Sequence, residues 1–203
     1  MINYEEKLLK VGKIVCVGRN YVEHIEELKN ELPENMVVFM KPASALSDTL
    51  HSLHVNQKIH YEGEICFLVQ DNQFVGVGFG LDLTKREVQS YLKEKGLPWE
   101  RAKCFDGSVL LSSFVKIEPS DIQKLSLKLY INTKLIQDGN VSQMIYKPNN
   151  ILDEIQSFAK LDDFDVVMSG TPKGVGEVKK GDEFLGSICL DGKTLVEKRW
   201  RAE

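Results

Sequence analysis

The sequence predicts an α+β fold whose sheet is rolled or sandwiched. Three observations carry this reading: many short strand-like runs, only about three helical stretches, and no regular βαβ alternation. At 203 residues and 42% hydrophobic content, the chain suits a single domain, residues 1–203, built around one full core. No repeat, low-complexity run or linker divides it.

The elements follow in order. Residues 13–17 form a short β-branched run that empties into Gly18-Arg19-Asn20. Val22, Ile25 and Leu28 then recur at three-residue spacing, which predicts a short helix with His24 and Glu27 together on the adjoining face. Residues 29–35 are charged, contain Pro33 and have little to bury, so the helix is expected to sit on mobile flanks. Residues 36–40 return to strand. Residues 65–69 are apolar on both faces and predict an interior strand. In the next strand Val75, Val77, Phe79 and Leu81 alternate with Gly76, Gly78, Gly80 and Asp82, leaving one face bulky and the other bare. Asp71-Asn72 is the turn between them.

Thr84, with Glu87 three residues on, predicts a capping box and a helix whose inner face is Val88, Tyr91 and Leu92. Arg86 and Gln89 share a neighbouring face, and Arg86 is assigned to the helix surface. Gly96 and Pro98 end this helix, and residues 99–107 read as a loop holding Lys103. Residues 125–131 and 141–146 predict a hairpin turning at Asp138-Gly139. Residues 149–159 predict a second helix with Ile151, Ile155 and Phe158 inward. Residues 164–168 form a buried strand that opens into 169–176. Asp191-Gly192 turns between strands at 187–190 and 194–200.

Composition excludes several classes. A net charge of −4 leaves no basic footprint for nucleic acid. No apolar run approaches the roughly 20 residues that cross a bilayer, and the first ten residues do not form a signal peptide, so cytoplasm is expected and no membrane partner. Cys16, Cys66, Cys104 and Cys189 form no Cys-x-x-Cys pair and read as buried thiols of a reducing compartment. His51, His54 and His60 lack the further ligand that would complete a zinc tetrahedron. Residues 170–176 lack the order of a phosphate loop, and the strand glycines do not match a dinucleotide fingerprint.

The chemistry concentrates in Tyr61-Glu62-Gly63-Glu64. Residues two apart in a strand point the same way, roughly 6.5 Å apart, so Glu62 and Glu64 share a face that continues as Cys66 and Leu68. Two buried like charges raise each other's pKa and cost several kcal/mol unless a cation lies between them. Asp82, at the rim of the bare strand, supplies a third carboxylate. Three oxygen ligands without Cys or His favour Mg²⁺ or Mn²⁺ over zinc. The competing reading makes Glu62 and Glu64 the wet face of an edge strand.

The chain resembles the fumarylacetoacetate hydrolase family, and most closely its acylpyruvase and oxaloacetate decarboxylase branch. The resemblance rests on Val-Gly-Arg-Asn-Tyr at 17–21 with His24 and Glu27, Phe-Met-Lys-Pro at 39–42, Tyr-Glu-Gly-Glu at 61–64 and Leu-Asp-Leu-Thr-Lys-Arg-Glu-Val-Gln at 81–89. Leu-Pro-Trp with Ala-Lys-Cys-Phe-Asp-Gly through 107, and Ser-Gly-Thr-Pro-Lys-Gly-Val-Gly at 169–176, complete it in the family's order. It implies a mixed β-roll with a few short helices, a Mg²⁺ or Mn²⁺ ion on Glu62, Glu64 and Asp82, and a homodimer. It implies His24 with Glu27 as general-base pair on a short helix that orders over the substrate, Lys103 completing the catalytic set, and Arg19, Gln89 and Thr171 holding the substrate.

The implied activity is C–C cleavage of a small 2,4-dioxo acid, or decarboxylation of oxaloacetate, through an enolate stabilised by the ion. The alternative within the family is an isomerase or tautomerase, of the 2-hydroxyhepta-2,4-diene-1,7-dioate or oxaloacetate type. A member kept only as a binding protein is a second alternative, against which the intact residue set argues. The chain departs from the branch in the short connection of seventeen residues between Glu64 and Asp82, and in Val109-Leu110-Leu111, where a Pro-containing segment is usual.

Overall fold

The structure is a computed structural model that describes residues 1–28 and 33–203. Its strands, in chain order, are β1 (Lys13–Gly18), β2 (Val37–Pro42), β3 (Gly63–Gln70), β4 (Gln73–Asp82), β5 (Val109–Leu111), β6 (Val115–Lys116), β7 (Leu125–Ile131), β8 (Lys134–Asn140), β9 (Val166–Met168), β10 (Glu183–Leu190) and β11 (Lys193–Arg201). Two-residue and three-residue ladders add to these at the periphery. The helices are short: α1 (Val22–Glu27), α2 (Arg86–Glu94), α3 (Glu100–Lys103) and α4 (Pro148–Phe158). None is long and apolar enough to cross a membrane.

A seven-stranded sheet has the order β5-β4-β3-β9-β1-β2, with β6 also on β4; a four-stranded sheet has the order β8-β7-β10-β11. The apolar run of β3 has a clear consequence. Ile65, Phe67 and Val69 enter a large core with Val77, Phe79 and Leu81 of β4 and with Leu127, Leu129, Phe184 and Ile188 of the second sheet. Cys66 and Leu68, on the other face, join Ile14, Cys16, Phe114, Val166 and Met168 in a smaller core. The strand therefore divides two cores, as its two-sided apolar pattern demands.

The bare face of β4 also has its reason. A Cβ on Gly80 would overlap Cys66 Sγ and come within 2.9 Å of Leu111 and 3.1 Å of Met168. Only glycine lets the smaller core close against this strand. The Asp71-Asn72 turn is present, with both residues at positive φ, as in a type I′ hairpin. The Asp191-Gly192 turn is present as well.

Other local expectations gave way to tertiary demands. The hairpin after residue 125 turns at Asn132-Thr133, not at Asp138-Gly139, which lies inside β8. Gly139 is glycine because Pro172 packs where its Cβ would be, at 2.7 Å. Residues 99–107 contain α3 instead of being all loop. Tyr91 and Phe158 face solvent, each 56% exposed, while Leu92, Ile151 and Ile155 point inward. In α1 the buried residues are His24 and Ile25, with Val22 outside. The cysteines are free, three of them buried. Of the stretch expected to flank α1 loosely, residues 29–32 lie outside the described residues.

Gly80→Ala is expected to cost about 1–3 kcal/mol of stability through overpacking. It should appear as a lower urea midpoint at unchanged m-value. A midpoint equal to wild type would show that the sheet yields there.

Candidate active site

Four strand ends meet at one edge of the main sheet. β1 and β9 are parallel and both run toward this edge, β3 is antiparallel to β9 and starts there, and β4 returns to it. These ends carry Arg19, Thr171, the pair Glu62 and Glu64, and Asp82. Arg19 and Gly170 both take positive φ, which turns the chain sharply off β1 and β9. Asn20 ties the two turns together: its amide donates to Ser169 O at 2.8 Å and to Tyr146 O at 3.0 Å.

Glu62 occupies a one-residue break before β3 rather than the strand itself, yet its carbonyl still accepts from Asp82 N at 2.9 Å. One oxygen from each of Glu62, Glu64 and Asp82 lies within 4.8 Å of the others, and all three residues are buried. This excludes the wet-face reading. Among the described residues no other set of His, Cys, Asp and Glu gathers in this way, and the three histidines between 51 and 60 do not.

Cations surround the triad. Lys103 Nζ donates to Glu62 Oε2 at 2.8 Å, Asp82 Oδ2 at 2.6 Å and Thr84 Oγ1 at 2.6 Å. Thr84 thus serves the site and not a helix cap: α2 begins after Lys85 with no side-chain cap. Arg86 donates to Glu62 Oε1 through Nη2 and to Gln89 Oε1 through Nη1, the latter at 2.7 Å. Lys41 Nζ donates to the carbonyls of Leu83, Lys103 and Ser108 and lies 2.7 Å from Asp82 Oδ1. An ammonium has three hydrogens, and the carbonyls take them, so Asp82 Oδ1 has a charge beside it but no hydrogen-bond donor. Glu64 Oε2 accepts from Gly170 N at 2.7 Å.

The electrostatics follow from these contacts. Burial pushes Glu64 well above the usual carboxylate range, and Asp82 and Glu62 push the same way. Burial acts likewise on Glu62, but Lys103, Arg86 and His24 outweigh it and hold that carboxyl well below the usual range. Burial would lower Lys103, but Asp82 and Glu62 more than offset it and keep the ammonium charged. Burial depresses His24 below the ordinary imidazole value, with Glu62 and Glu27 pulling weakly the other way.

The donor set fits a hard divalent ion. Three buried carboxylates converge, one oxygen of Asp82 has no hydrogen-bond donor among the described residues, and the upward push on Glu64 from burial and its acidic neighbours is what a bound cation would relieve.

α1 closes the cavity. His24 is 6% exposed, and its Nδ1 lies 3.4 Å from Glu27 Oε2. Both Glu27 oxygens accept from Gly174 N, at 3.0 and 3.1 Å. The cavity is lined by His24, the triad, Lys103, Arg19, Gln89 and Thr171, so eight of the nine residues singled out from the sequence face one space, and Glu27 stands behind His24. Its volume is about 30 Å³, room for an ion and a water. A groove of about 430 Å³ lies elsewhere, beside Tyr130, Leu185 and Arg199, and gathers no such chemistry.

Two residues of the site escaped the sequence reading. Arg86 belongs to the cavity and not to the helix surface; its hydrogen bond to Gln89, three residues on, was the available sign. Lys41 is 1% exposed, and only its place in Phe-Met-Lys-Pro hinted at a role.

A family model described as fumarylacetoacetate (FAA) hydrolase, C-terminal, matches residues 13–196. The oxaloacetate tautomerase YcgM of Escherichia coli K12 is 36% identical over 214 residues, covering 97% of each chain. The human mitochondrial oxaloacetate tautomerase FAHD1 is 36% identical over 190 residues, covering 86% of each. Among solved structures, the fumarylpyruvate hydrolase of Pseudomonas aeruginosa, in complex with Mn²⁺ and pyruvate, superposes with a TM-score of 0.88. It is 26% identical, over 99% of this chain and 94% of that one. The β-roll type expected from the resemblance is therefore the fold observed.

Titration with Mn²⁺ followed by calorimetry is expected to show one site per chain. Glu64→Gln should weaken binding at least about tenfold, since it removes a charged ligand from a buried site. Equal affinity in the variant would remove Glu64 from the ligand set.

Proposed function

Because the chain belongs to the fumarylacetoacetate hydrolase family, we propose that it is a divalent-metal-dependent tautomerase of oxaloacetate, using Mg²⁺ or Mn²⁺. One observation carries this reading: three converging carboxylates and an imidazole whose affinity for a proton is lowered by burial face the same cavity. The names of the relatives from Escherichia coli and human support tautomerisation over the C–C cleavage or decarboxylation that the resemblance first suggested. The Mn²⁺ and pyruvate bound to the Pseudomonas aeruginosa relative support an ion and a 2-oxo acid at this place.

An ion held by Glu62, Glu64 and Asp82 would act as a Lewis acid that draws charge from the 2-oxo acid as its enolate develops. The chain's own residues supply the rest. With Nδ1–H directed to Glu27, Nε2 is the basic nitrogen of His24. It takes the proton from the C2 hydroxyl of the enol, and the imidazolium returns a proton to C3. The C2–O bond becomes a carbonyl and the C2=C3 bond becomes single, while no heavy-atom bond breaks. The Lys103 ammonium, its three hydrogens directed to Glu62, Asp82 and Thr84, stabilises the oxyanion between these transfers by its charge. Arg19, Gln89 and Thr171 hold the carboxylates, and Arg86 positions Glu62 and Gln89.

The likeness to a fumarylpyruvate hydrolase favours a second reading, in which His24 activates water against the distal carbonyl of an acylpyruvate. Proton NMR separates the two. Enzyme-dependent loss of enol oxaloacetate without pyruvate supports the first; pyruvate release from acetylpyruvate supports the second.

His24→Asn is expected to lower the enol-to-keto rate by about 10²- to 10⁴-fold. Because folding depresses this imidazole, the wild-type rate should hold as pH falls through 6.5 and drop only below it. That acid limb should vanish in the variant; an unchanged pH profile would exclude His24 as the base. His24 of α1 lines this small cavity, so α1 is expected to move when a diacid enters and to settle over it afterwards. Hydrogen exchange in residues 22–27 should slow when oxalate and Mg²⁺ are added together, and equal exchange in both states would refute a moving lid.

A further inference from the structure

Gln137 stands outside the cavity, on β8 of the second sheet, and is wholly buried. Its amide makes an unusual set of bonds for a strand residue. Oε1 accepts from Gly63 N at 2.9 Å, and Gly63 is the residue between Glu62 and Glu64. Nε2 donates to Thr171 Oγ1 at 2.9 Å and to Pro172 O at 2.9 Å, with Lys173 O farther off at 3.4 Å. A backbone N–H can only donate and a carbonyl can only accept, so the partners leave the amide a single orientation.

That orientation dictates the polarity of Thr171. A hydroxyl has one hydrogen and two lone pairs, and here one lone pair is already engaged by the amide N–H. Among the described residues the hydroxyl hydrogen has no better acceptor than Pro172 O, at 3.4 Å, itself already bonded to Gln137. Thr171 lines the cavity and is buried. An anion entering the cavity therefore meets a hydroxyl whose hydrogen is free to turn toward it.

We infer that Gln137 is a positioning residue that presets Thr171 as a hydrogen-bond donor to the substrate carboxylate, while fixing the backbone between the two glutamates. The inference rests on the functional reading above, since it needs an anionic ligand in this cavity. It extends that reading by making carboxylate affinity depend on a residue of the opposite sheet that never touches the ligand.

Oxalate, which has no C3 to take a proton and so cannot turn over, is the probe, with its dissociation constant measured by calorimetry in the presence of Mg²⁺. The proteins are wild type, Gln137→Met, Thr171→Val and the double variant, with Gln137→Glu as a polarity reversal. Gln137→Met should weaken oxalate binding about tenfold, the usual effect of losing a hydrogen bond to a charged group. In the Thr171→Val background the same change should have little further effect, because the hydroxyl through which it acts is gone. Gln137→Glu should weaken binding at least as much, since its oxygens would accept the hydroxyl hydrogen.

Unchanged oxalate affinity in folded Gln137→Met, or penalties that simply add in the double variant, would overturn the inference and leave the functional reading standing. Failure of both Gln137 variants to fold would also overturn it, showing that the amide serves the joint between sheets alone. A wild type that binds no oxalate would instead sink the functional reading, and the inference with it.

Discussion

The structure turns on the burial of Glu62, Glu64 and Asp82 within one small space. Like charges so placed would repel by several kcal/mol in a low-dielectric interior. The surrounding fold answers that repulsion. Lys103 bridges two of the carboxylates, Arg86 holds Glu62 from the side, and Lys41 backs Asp82 from beneath. Each cation is delivered by a different element: α3, the first turn of α2, and the end of β2. Even Thr84, well placed to cap a helix, gives its hydroxyl to Lys103. Glu64 is the member that these cations serve least, and the upward push on its carboxyl from burial, Asp82 and Glu62 makes the cluster receptive to a further positive charge.

The sheet topology explains why such distant residues meet. Parallel pairing of β1 with β9 and antiparallel pairing of β9 with β3 bring residues near 20, 62, 82 and 171 to one edge. Tight turns with left-handed backbone at Arg19 and Gly170 then bend the chain around the cavity instead of across it. The short β3–β4 hairpin keeps the three carboxylates on neighbouring strands without help from a longer connection.

Much of this was legible in the sequence because period and turn chemistry are local. The two-sided apolar run of β3, the glycine alternation of β4 and the Asp71-Asn72 and Asp191-Gly192 turns speak for themselves within a few residues. The eight cavity residues and Glu27 were reached partly from the carboxylate pattern and partly from family resemblance. What stayed hidden depended on partners far along the chain. Asp138-Gly139 looks like a turn until Pro172 is seen packed against that glycine. Thr84 looks like a cap until Lys103 arrives from nineteen residues away. Arg86 and Lys41 look solvated, as lone basic residues usually are, and only the folded chain shows Lys41 buried against Asp82 and Arg86 half-buried against Glu62. Gln137 carries no local signature.

The bond between Glu27 and Gly174 has one more consequence. The carboxylate that steadies the imidazole is the same group that fastens α1 to the 169–176 loop. Lifting the helix to admit a ligand must break that fastening, and with it the support of His24. On the proposed mechanism, opening and disarming would be a single event, with the imidazole aligned for proton transfer only once the helix is back in place. Such an interlock would keep the proposed base from working on whatever diffuses past an open mouth.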